Sequence, residues 1–133
     1  MISASDLARS VNKPLMKELE AARKAERRGD PRQSIAHLRR VVVIDPSFAV
    51  AWVNLGVQYV SVGSLSAGRG AFLKAIELDR KLVTAYIDLA ITDLTLGDPI
   101  GAAEASKVAL SMAPANEYAR KVLAAATRAG SMP

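Results

Sequence analysis

With 133 residues the chain has room for one domain with a continuous core. Half of its residues are hydrophobic but only 5% are aromatic, and alanine, leucine and valine lead, which suits close helix packing better than a β-sandwich. The absence of cysteine excludes disulfides and thiolate metal sites, one histidine argues against an imidazole metal site, and the net charge of +5 divides as +4 over 1–48, +2 over 49–82, −3 over 83–116 and +2 over 117–133.

In chain order, residues 1–12 are polar and weakly patterned. Ser5 before Asp6 is placed to cap one short turn, with Leu7 and Val11 on one side, and 1–13 reads as a leader. This stretch lacks the apolar core of a signal peptide. No run approaches the roughly 18 apolar residues that cross a bilayer. The expected location is the cytoplasm, with a fragment of a longer exported protein as the alternative. Pro14 suits the first turn of a helix, where its missing N–H costs nothing. That helix runs to about residue 28, and Gly29 ends it. Asp30 caps the next helix with Pro31 at its first position, and this helix, over 32–44, stops ahead of Pro46.

The same grammar returns twice. Ser47 is placed to cap a helix over 48–62 that breaks at Gly63, and Ser64 opens a helix over 65–78. A third pair covers 82–96, breaks at Gly97, and resumes under Asp98 and Pro99 to about Met112. After Pro114 a last helix over 115–129 has no partner, and Gly130 and Pro133 close the chain.

Gly29-Asp30, Gly63-Ser64 and Gly97-Asp98 are spaced by 34 residues, and so are Asp45-Pro46, Asp79-Arg80 and Ala113-Pro114. A fixed period of this size predicts stacked supersecondary units. The middle unit carries Trp52, Leu55, Gly56 and Tyr59, then Phe72 and Ala75. The third carries Tyr86, Leu89, Ala90, Ala102, Ala109 and Pro114, and the first Ala21, Ala22, Ala25, Leu38 and Pro46. On these residues the chain resembles the tetratricopeptide repeat family, with its loose W-x2-L-G-x2-Y, A-x3-F-x2-A and P pattern. The resemblance implies an all-α fold, a right-handed α-solenoid of three antiparallel helix pairs plus a capping helix. Its repeats are 15–48, 49–82 and 83–116, with the cap over 115–129, in one domain over 14–130.

Packing explains the pattern. Small residues at Ala22, Gly56 and Ala90 let the two helices of a unit approach, while Trp52, Leu55, Tyr59 and Phe72 fill the space between neighbours. No unit buries its apolar face alone, so stability comes from stacking. The chain also departs from the family pattern. Glu18 stands where an aromatic is usual, which fits a solvent-facing first unit. Gly68, Arg80 and Ser106 replace an alanine, a proline and an aromatic. Asp93 occupies a tyrosine place, and a charge there must reach solvent or find a partner, with an edge position expected.

The resemblance further implies that the first helices line a concave wall that grips a peptide or helix. The wall-facing places are Met16, Leu19, Arg23, Glu26 and Arg27 in the first unit and Val50, Val53, Val57, Val60 and Ser61 in the second. In the third they are Thr84, Ile87, Ile91, Leu94 and Thr95, and the cap offers Tyr118, Lys121 and Ala125. Four outward valines at i, i+3, i+7 and i+10 make an apolar wall, and a large exposed apolar patch marks an interaction site. Seven such aliphatics at roughly 0.5–1 kcal/mol each predict an affinity of about micromolar once association costs are met. The expected partner is a protein, through an amphipathic helix or apolar peptide with some acidic charge for the basic rim of Arg23, Arg27 and Lys121. Two arrangements would hide the wall: packing of the valines on the second helices, or a fold-back of residues 1–12 that lays Leu7 and Val11 over them.

Chaperone-binding members of the family hold a partner's C-terminal carboxylate with lysine, asparagine, asparagine, lysine and arginine. The matching places here are Leu19, Arg23, Asn54, Thr84 and Asp88. Only Asn54 fits, and Asp88 repels a carboxylate, so acidic chaperone tails are not expected to bind. His37 reads as a surface residue. Arg27-Arg28 and Arg39-Arg40 lack an interleaved aromatic platform, so no nucleic acid is expected. No nucleophile set, phosphate loop or metal-ligand spacing appears, so neither an enzyme nor a cofactor is expected. The alternative to peptide capture is self-association, or packing on an adjoining domain, through the groove or through Val122, Leu123 and Ala126 of the end helix.

Overall fold

The computed structural model describes residues 1–131, and it contains eight helices with no strand among them. They are α1 (Ala4–Ser10), α2 (Lys13–Arg27), α3 (Pro31–Ile44), α4 (Ala49–Ser61), α5 (Leu65–Leu78), α6 (Val83–Thr95), α7 (Pro99–Met112) and α8 (Glu117–Ser131). The pairs α2–α3, α4–α5 and α6–α7 are hairpins stacked in chain order, and α8 packs on α6 and α7. The molecule is an all-α solenoid of helix pairs.

Local chemistry sets most of the boundaries. Asp30 and Asp98 accept the N–H groups of Gln33 and Gly101, and a proline follows each, as expected from the sequence. Other caps differ from expectation. Ser3, not Ser5, caps α1 by accepting from Asp6. Asn12 caps α2 through the N–H of Leu15. Ser47 caps nothing; its hydroxyl donates to Asp45 at 2.9 Å, and α4 begins after Phe48 without a side-chain cap. Asn116 accepts from Ala119, so the last helix starts two residues later than the sequence suggests. That helix runs through Gly130, and Pro133 lies outside the described residues.

The three turns inside the hairpins share one geometry. Gly29, Gly63 and Gly97 have φ of 71°, 81° and 85°, the left-handed region that a Cβ disfavours. The N–H of the next residue reaches back to the carbonyls of Ala25, Tyr59 and Asp93 at 2.9, 2.9 and 2.8 Å. This six-to-one closure satisfies an otherwise orphaned carbonyl and reverses the chain at once.

The core consists of three clusters, each joining one unit to the next. Leu15, Leu38 and Val41 meet Ala51 and Leu55; Val53, Phe72 and Ala75 meet Ala85 and Leu89; Ile87 and Ala109 meet Ala119. Trp52 packs on the first two, and its indole N–H donates to the Pro46 carbonyl at 2.9 Å. A Cβ on Gly56 would fall 2.5 Å from the Phe72 ring, so α4 and α5 approach through that glycine.

Two polar departures turn out to be built into the stack. Asp93 is buried rather than at an edge, and Arg69 of α5 donates to it at 2.6 Å. Gly101 leaves the room: a side chain there would crowd Asp93 and Asp98. Glu18 is only partly exposed and lies 2.7 Å from His37 Nδ1, with Arg40 at 3.8 Å. His37 thus ties α3 to α2 and is not a free surface residue. The His37 hydrogen bond holds the Glu18 carboxyl below the usual range, helped by Arg40 and opposed by partial burial.

Candidate functional site

The period of 34 residues puts α2, α4, α6 and α8 at corresponding levels of the stack, with α4 against α6 and α6 against α8. Between α2 and α4 lies a cleft lined by Leu19, Ala22, Arg23, Glu26, Val50 and Asn54. These four helices carry the residues that the repeat pattern assigns to a wall.

The wall is less apolar than the sequence suggests. Leu19, Val53 and Ile87 occupy the same place in successive units, and all three are buried. Each shares a core cluster with a nearly inaccessible alanine of the next first helix: Leu19 with Ala51, Val53 with Ala85, Ile87 with Ala119. Their side chains are mortar between units. Val60 is half-buried as well, beside the glycine at position 68, and Leu94 is half-buried. What remains open is a narrower set. Val50, Val57 and Ile91 keep 49%, 40% and 41% of their surface. Asn54 and Thr84 are exposed beside them, and Met16 and Arg23 continue the line on α2. The recurring alanines at 51, 85 and 119 were the signal in the sequence for the covered places.

The first helix does not cover this set. Leu7 and Val11 are exposed, and the short helix is fastened elsewhere. Arg9 reaches Asp45 at 2.6 Å and the Ser47 carbonyl at 3.4 Å, with its guanidinium 4.4 Å over the Phe48 ring. Helix α1 therefore sits at the turns leading into α4 and out of α5, where Ser5, Asp6 and Arg9 line one cleft with Val50 and Asp79. The apolar stripe of α8 is also used internally: Ala126 is buried and Val122 packs on the central cluster.

Charge is placed unevenly along the wall. Arg23, Glu26 and Arg27 stand on α2, Lys121 on α8, and all are exposed. Arg27 lies 3.5 Å from Glu20. Asp88 stands near the middle, half-buried, and burial pushes its carboxyl up to about 6.

A stack of helix hairpins with a solvating end helix is shared with many solved structures. It matches the first TPR of Spaghetti (RPAP3) bound to an HSP90 peptide, with a TM-score of 0.86 at 18% identity over 90% of this chain and 95% of that one. The chain has the tetratricopeptide-repeat fold. The second TPR domain of human RPAP3, in complex with an HSP70 peptide, gives 0.82 at 18% identity, covering 86% of this chain and 95% of that one. MamA gives 0.84 at 24% identity over 87% of this chain, which spans 63% of the MamA chain. No protein-family model and no curated protein sequence matches the chain. Among the described residues no helix of this TPR fold is long and apolar enough to cross a membrane.

Proposed function

We propose that the chain is a non-catalytic protein-interaction module that holds an apolar or amphipathic peptide against α2, α4, α6 and α8. The observation that carries this reading is the exposure of Val50, Val57 and Ile91 on neighbouring first helices, where neither α1 nor the second helices cover them. Three half-exposed aliphatics contribute about 1.5–3 kcal/mol on burial, well short of the roughly 8 kcal/mol of a micromolar complex. Polar contacts must therefore supply much of the affinity, and Arg23, Asn54, Thr84 and Asp88 are the groups in reach.

The RPAP3 domains are seen with HSP90 and HSP70 peptides of sequence SRMEEVD and SGPTIEEVD. We infer that such acidic tails are not ligands of this chain, because Asp88 faces them with a like charge. Calorimetry with SRMEEVD checks this directly, and micromolar heat would overturn it.

The groove assignment is tested with Val57→Lys and Ile91→Lys, both at exposed positions. Each is expected to keep the helical circular dichroism and thermal midpoint and to abolish capture of peptides that the unaltered chain retains. Undiminished capture would move the site off this wall. The runner-up is self-association or packing on an adjoining domain, for which Leu73, Ile100 and Val108 on α5 and α7 offer exposed apolar surface. Sedimentation over a wide concentration range tests the self-association half of this reading, which a strict monomer overturns.

A further inference from the structure

Asp88 is the partly buried carboxylate for which the fold supplies no donor. Every other one among the described residues is held. His37 binds Glu18, Arg9 binds Asp45 and Arg69 binds Asp93, while Asp30 and Asp79 accept the backbone N–H groups of Gln33 and Lys81. Among the described residues Asp88 has no hydrogen bond or ion pair to its side-chain oxygens, while its backbone carbonyl accepts from the Thr92 hydroxyl.

Its position is well defined by the helix. Asp88 lies one turn from Thr84 and Ile91, which are exposed on the wall, and three residues from Ala85, which packs with Val53 of α4. The carboxylate therefore stands at the seam where the α4 valines meet the open groove, half out of water and reachable from it. Asn54 holds the equivalent place one unit earlier and is exposed. A charge desolvated on one side and left unpaired is costly in the free protein, and a cation arriving from a partner offsets that cost as well as adding its own attraction.

We propose that Asp88 is the polar anchor of the groove and receives a lysine or arginine of a partner protein's segment, whose flanking aliphatic side chains cover Val50, Val57 and Ile91. This rests on the peptide-binding reading and narrows it: the basic residue lies within the apolar stretch. Arginine fits best, because its planar fork can engage the carboxylate and leave an N–H for the Asn54 amide oxygen. The exposed cations at the two ends of the wall, Arg23 and Lys121, place acidic residues of the same segment outside that centre.

A random-peptide display library selected against the chain, against Asp88→Asn and against Val57→Lys tests the proposal. The unaltered chain is expected to enrich lysine or arginine between aliphatic residues, and Asp88→Asn to return basic residues to library background while still retaining apolar sequences. A synthetic peptide from the first pool should bind Asp88→Asn roughly tenfold more weakly, and its basic-to-glutamine version should lose this preference for the unaltered chain. Equal enrichment of basic residues by both proteins, or none by either, overturns the anchor while leaving the groove in place. Retention of the same peptides by Val57→Lys overturns the groove itself, and an unenriched library overturns both. If Asp88→Asn instead dissociates a dimer in sedimentation, the occupant is a second copy and the partner-segment proposal fails.

Discussion

Arg69 Nε donates to Asp93 Oδ1 across 2.6 Å, joining α5 to α6 through a carboxylate that the second and third units otherwise enclose. The pair converts a place suited to an aromatic into a charged one without leaving the charge alone. Removing one partner is then far worse than removing both. Arg69→Ala is expected to cost about 2–3 kcal/mol in urea unfolding, and adding Asp93→Asn to recover part of that. A loss below about 0.5 kcal/mol would show that water replaces the guanidinium.

Gly56 is packed against the Phe72 ring with no space for a Cβ. Gly56→Ala adds helix propensity but pushes α4 off α5, and the overpacking dominates. The expected loss is about 1–3 kcal/mol, seen as a lower thermal midpoint. A second change, Phe72→Leu, should relieve the clash and be less harmful in that background than in the unaltered chain.

Asp88 makes stability depend on pH in a definite direction. Burial raises its carboxyl from 3.8 to about 6. Between those values the unfolded chain has released the proton and the folded one has kept it, so stability falls as pH rises through the window. Two units correspond to about 3 kcal/mol at full burial, and partial exposure reduces the expected effect to about 1–2 kcal/mol. Asp88→Asn should therefore match the unaltered chain below about pH 4 and exceed it near pH 7. Denaturant unfolding at the two pH values measures the gap, and an equal gap at both would contradict it.

The N-terminal helix is held at its Arg9 end. Partial burial alone would raise the Asp45 carboxyl, but hydrogen bonds from Arg9 and Ser47 and the charge of Arg9 outweigh it, and the net shift is downward. This contribution is present above the ordinary carboxylate range and is lost as pH falls through the lowered value. Arg9→Ala is expected to free residues 4–10, raising their amide exchange to the unprotected rate, with a global cost of about 1 kcal/mol or less. Unchanged protection there would mean that other contacts fasten the helix.

The architecture was legible in the sequence because it is carried by local rules repeated at one period. Glycines at 29, 63 and 97 are needed for left-handed turns, and Asp30-Pro31 and Asp98-Pro99 are strong start signals, so the helices and their pairing could be placed without knowing any contact. Periodicity also located the first helices on one wall. It did not distinguish Val50 and Val57, which stay open, from Val53, which the next unit covers, because a valine three or four residues along the same helix carries the same hydropathy. That difference depends on where the neighbouring Ala85 comes to rest. The same limit applied to the charges. Asp93 and Asp88 are one residue type on one helix, yet only packing brought Arg69 to the first and no cation to the second.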